Sequence, residues 1–62
     1  MTYSEIKELC KKGKVGIIPN WKGYIKWDYS KDELYFVNND YRMSQIELKD
    51  KTNNRTDLFY II

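Results

Sequence analysis

Histidine is absent from this chain, and cysteine occurs once, at Cys10. Without histidine, Ser-His-Asp and Cys-His catalysis lose their general base. The two shortages together exclude a His/Cys zinc site, and a lone thiol closes no disulfide within one chain. Arginine occurs only at Arg42 and Arg55, so bidentate grips on phosphate are few. The three glycines, Gly13, Gly16 and Gly23, fit neither a phosphate loop nor a dinucleotide fingerprint. No apolar run approaches the ~20 residues of a membrane span, and no apolar segment follows Met1 as in a signal peptide. A cytoplasmic location is expected, and a free thiol fits it. Carboxylates are present but form no recognisable catalytic pair. A non-enzymatic protein without cofactor or metal is therefore expected.

The length of 62 residues sets one domain. At this size about 60% of the unfolded surface is buried on folding. With no disulfide or metal to help, self-association is the remaining common source of stability. The net charge of +2 is small but uneven. Residues 1–27 hold six lysines against Glu5 and Glu8, a balance of +4. Residues 28–62 hold five basic and seven acidic residues, a balance of −2. The basic end would steer an anionic partner, or it is simply a solvated helix end.

Thr2 and Glu5 have capping-box spacing. Tyr3, Ile6, Leu9 and Cys10 follow on one helical face, Lys11 and Lys12 suit the C-terminal dipole, and Gly13 suits the C′ position. These predict a helix over roughly 3–12. Lys14 to Ile18 reads as a short strand ended by Pro19-Asn20. Lys22 to Tyr29 alternates, with Ile25, Trp27 and Tyr29 on one side. Ser30 to Asp32 is turn chemistry, and Glu33 to Val37 returns as the second arm of a hairpin. Tyr41 to Met43 predicts a short strand after the turn at 38–40. Ser44 and Glu47 repeat the capping box, with Met43 and Leu48 at the staple positions. They predict a helical turn over 45–49, then a polar loop to Arg55. Leu58 to Ile62 is apolar throughout and predicts a strand buried on both faces, its second cover supplied by another copy. The sum is an α+β fold: an N-terminal helix on a small, mostly antiparallel sheet, with a short second helical turn. Gly23 is expected at a bulge or close approach.

The densest feature is four large aromatics, Trp21, Tyr24, Trp27 and Tyr29, within nine positions. Trp27 alternates with apolar neighbours and is expected in the core. Trp21 follows a turn, and either burial against the helix or stacking on a ligand fits it. Asn20 beside it is a ligand contact or a turn former. Arg42 is a phosphate grip or one half of a salt bridge. Asp57 orients Arg55, accepts a ribose hydroxyl or caps the last strand.

The capped helix, then Gly13-Lys14-Val15, then Trp21, an aromatic stretch and Asp57 before a final apolar strand form a pattern spanning nearly the whole chain. It resembles the second Thoeris anti-defence family of small phage proteins. Ile18 stands where that family often has arginine, and Leu58 where tryptophan usually follows the acid. The resemblance implies a homo-oligomeric sponge that sequesters a host immune signalling nucleotide, of the cyclic ADP-ribose type or a related cyclic nucleotide, without degrading it. Of the candidate residues, Lys14, Trp21, Tyr24 and Asp57 match that family's pattern; on this reading the ligand lies between protomers, a base stacks on Trp21 or Tyr24 with Asn20 beside it, and phosphates are met by Lys14, Lys22 or Arg42. A second reading is a phage inhibitor that binds a host defence protein directly, in the manner of an anti-CRISPR, with its aromatics as hot spots. Nucleic acid is the least expected partner, since arginine is scarce.

Overall fold

The computed structural model describes residues 1–52 and 59–62. The first helix, α1 (Tyr3–Lys11), starts where the sequence predicts. The Glu5 N–H donates to the Thr2 hydroxyl at 3.2 Å and the Thr2 N–H donates to the Glu5 carboxylate at 2.9 Å. Gly13 ends the helix at φ +95°, a conformation that costs glycine little. Four strands and a second helix follow: β1 (Gly16–Ile17), β2 (Tyr24–Asp28), β3 (Glu33–Val37), β4 (Arg42–Met43) and α2 (Gln45–Lys51). The last strand is β5 (Tyr60–Ile61).

The strands form one sheet in the order β4-β3-β2-β1-β5, antiparallel at every pairing. Its centre is the predicted hairpin, with Ile25 opposite Phe36 and Trp27 opposite Leu34. These four point inward and join Ile6, Cys10, Leu48 and Phe59 in the core. Both helices therefore pack on one face. On the other face, Tyr24, Lys26, Glu33, Tyr35 and Val37 are all exposed or half-buried. Such one-sided cover is common for antiparallel sheets.

Gly23 fulfils its expected role. At φ +146°, a Cβ there would come within 2.5 Å of the Phe36 ring and 2.6 Å of the Val37 carbonyl oxygen. Three expectations need correction. Lys49 to Lys51 continue α2 rather than opening a loop. Ser44 caps the start, and the buried Thr52 hydroxyl donates to the Leu48 carbonyl at 2.9 Å at the end. Tyr29 does not extend the inward face of β2; it is exposed, and its hydroxyl donates to the Lys11 carbonyl at 2.8 Å. The closing strand is not buried on both faces: Phe59 is buried, but Tyr60 is 53% and Ile62 67% exposed. β5 lies at the sheet edge beside β1, with a helix layer on one side only, so alternation survives even in an all-apolar run. Leu58, and the predicted roles of Arg55 and Asp57, lie outside the described residues.

Candidate ligand-binding site

The link from β1 to β2 places Trp21. Asn20 adopts φ 71°, a left-handed conformation that asparagine tolerates. The Trp21 N–H then donates to the Ile18 carbonyl at 3.1 Å and closes the turn. Its indole lies half-buried, edge-on to Phe36, with centroids 5.3 Å apart and planes at 85°. Edge-to-face contact is a favoured aromatic geometry. Trp21 thus packs on the core with part of its surface and leaves part free.

The turn after β3 supplies the opposite wall. The Asn38 side-chain oxygen accepts from the N–H of Asp40 at 2.8 Å and of Tyr41 at 3.0 Å. Tyr41 is thereby held beside Phe36, 6.2 Å between centroids, and the residue is 48% exposed. Trp21 and Tyr41 border an open cleft of about 500 Å³, floored by Phe36 and Met43. Lys22 and Lys51 line it against Asp40, two cations to one anion. Asn20 lines it too. A flat, partly anionic molecule suits such a cleft: aromatic walls accept its face, and the ammoniums accept its charge.

Of the residues proposed from the sequence, Asn20, Trp21 and Lys22 meet here. Tyr24 does not share the Trp21 stacking surface. It stands on the opposite sheet face, beside Val37, and borders a neighbouring hollow of about 330 Å³ that shares Lys22, Asn38 and Asp40 with the cleft. Lys14 lies in a different groove, with Trp27 and Tyr29. Arg42 is already engaged. Its guanidinium sits 3.9 Å above the Tyr35 ring and pairs with the Asp28 carboxylate. Hydrogen bonds from the Ser30 hydroxyl, from Arg42 and from the Lys31 N–H hold Asp28 well below the usual carboxylate range. Its fork is therefore turned away from a phosphate, and the salt-bridge reading is the observed one. Asp57 lies outside the described residues.

Tyr41 and Lys51 went unrecognised. Tyr41 was legible in principle: Phe36 pairs with Met43, so the alternate residue Tyr41 falls on the same face. Lys51 had no such signal, because the polar run 49–55 does not announce a helix. Cys10 is a free thiol buried in the core. Burial pushes its thiol up, and its sulfur lies 3.7 Å from the Ile25 carbonyl oxygen. Among the described residues, no three acidic or cysteine side chains converge as a metal cage. No helix of the described residues is long and apolar enough to cross a membrane.

Compared with known protein families, characterised proteins and solved structures, the chain matches none.

Proposed function

We propose that this protein is a non-catalytic sponge for a signalling nucleotide of the cyclic ADP-ribose type or a related cyclic nucleotide, acting in the host cytoplasm as a phage anti-defence protein. The observation that carries the reading is the cleft between Trp21 and Tyr41, with Lys22 and Lys51 at its rim. A base stacks against the free part of the Trp21 indole, and phosphates lie toward the two ammoniums. Base–aromatic stacking contributes roughly 1–3 kcal/mol per base. The sequence resemblance supplies the ligand class.

A homo-oligomer fits the uncovered sheet face. Ile17 pairs with Tyr60, and the antiparallel register sets Tyr24 on its other side. A second copy would cover this tyrosine-rich surface. The same face favours a second reading, direct binding to a host defence protein, with exposed Tyr24 and Tyr60 as anchors.

Titration with a panel of cyclic ADP-ribose variants and cyclic dinucleotides, read by tryptophan fluorescence and calorimetry, tests the proposal. One ligand should bind and be recovered unchanged after heat release. Failure of the whole panel to bind, or new products on chromatography, overturns the sponge. Light scattering near the 7.6 kDa monomer mass overturns the oligomer.

A further inference from the structure

Two lysines one helical turn apart, Lys7 and Lys11, direct their ammoniums at the same ring. Their nitrogens lie 5.9 Å and 5.0 Å from the Trp27 centroid. Like charges at this spacing weaken an isolated helix. The cation–π contacts offset part of that cost. Among the described residues, the carboxylate that meets them is Glu8, 3.7 Å from Lys11. Beside them runs a groove between the turn after α1 and the end of β2, and Lys14 and Lys26 line it together with Trp27 and Tyr29. Lys14 and Lys26 thus line the groove, Lys26 from the uncovered sheet face, while Lys7 and Lys11 meet the Trp27 ring that walls it, and its rim carries a tyrosine that is 70% exposed. Tyr29 is held there by its hydroxyl bond to the Lys11 carbonyl.

We infer that this groove is a docking surface for single-stranded nucleic acid, separate from the Trp21–Tyr41 cleft and independent of the sponge reading. Lysine is depleted at the cores of protein–protein interfaces, which argues against an acidic protein as the occupant. A charged groove bordered by an aromatic ring is instead the general design for holding a nucleic acid strand without sequence preference. Phosphates run along Lys7, Lys11, Lys14 and Lys26, and a base stacks on Tyr29. Lysines serve as point charges here, so the scarcity of arginine is no obstacle.

Fluorescence anisotropy of labelled 15-nucleotide oligo-dT and oligo-U, between 50 and 200 mM KCl, tests the inference. Four neutralised phosphates give a log–log salt slope of about −3, a loss of roughly 50-fold over that range. The double variant Lys11→Gln, Lys14→Gln should halve the slope. The control Lys31→Gln, Lys49→Gln removes as much charge elsewhere and should leave it unchanged. Tyr29→Leu should weaken binding roughly fivefold or more at an unchanged slope. Binding of either strand with this pattern supports the surface, and the tighter strand identifies its source as DNA or RNA. Three outcomes overturn it. One is no binding of either strand at 50 mM KCl. Another is an unmoved slope in a Lys11/Lys14 variant with wild-type circular dichroism. The third is displacement of the strand by poly-glutamate at equal charge, which assigns the groove to an acidic protein.

Discussion

Trp21 stands edge-on to the buried Phe36 ring, so one indole serves the core and the cleft at once. Neither of its two sequence-level roles excludes the other. The consequence is a mixed phenotype. Trp21→Ala should destabilise the fold by roughly 1–3 kcal/mol, less than the ~3–5 kcal/mol of a fully buried aromatic. Each kcal/mol lowers the melting temperature of a domain this small by about 4–8 °C. In the population that stays folded, nucleotide affinity should fall roughly 5- to 150-fold. Trp21→Phe should restore most of the stability and part of the affinity. Melting and titration of both variants check this. A normal melt with normal affinity for Trp21→Ala would contradict both roles.

Gly23→Ala should cost roughly 1–3 kcal/mol, as overpacking does. The added carbon meets the Phe36 ring and the Val37 carbonyl, and the backbone is already at a positive φ. Since Phe36 floors the cleft, affinity should drop with stability. Urea unfolding measures the first effect and titration the second.

Asp28 sets an acid limit. Its hydrogen bonds depress its folded-state pKa, so its contribution is present above the usual aspartate range near pH ~4 and is lost as pH falls below it. Stability should therefore decline as pH drops from about 4 toward 2. Asp28→Asn should be less stable at neutral pH and show a flatter acid limb. Arg42→Gln should act in the same direction. Urea midpoints across pH 2–6 decide; a limb as steep in Asp28→Asn as in the parent would remove Asp28 as its cause.

Tyr3 sets an alkaline limit. Burial, and then the Glu33 charge, push its hydroxyl up to about 12 from an ordinary value of 10.0. A group raised on folding stabilises fully below its unfolded value and loses that contribution as pH rises. Stability should thus fall between pH 10 and about 12. Tyr3→Phe should lose this phase and keep the edge-on ring contact with Phe59. Denaturant midpoints over pH 9–12 check it.

Local chemistry carried much of the fold. Thr2 with Glu5, and Ser44 before Gln45, fixed both helix starts, because a cap is satisfied within four residues. Alternation fixed the β2–β3 hairpin and the inward Ile25, Trp27, Leu34 and Phe36, because one buried face permits one register. The same alternation placed Tyr24 away from Trp21, although their closeness in sequence suggested a shared site.

Tertiary structure alone decided the rest. The end of α2 depends on the Thr52 hydroxyl and on packing of Leu48, neither of which a polar run reveals. Exposure of Tyr60 depends on β5 being an edge strand with one helix layer, which its apolar composition conceals. Arg42 became a partner of Asp28 and Tyr35 because the β3–β4 pairing lays it beside that face of the sheet. The cleft itself joins a turn at 18–21 to one at 38–41 through Phe36, which belongs to neither. Sequence determines what short-range bonds and periodicity can satisfy. Which side chains share a cleft or a groove depends on contacts between elements far apart in the chain, and only the closed fold sets these.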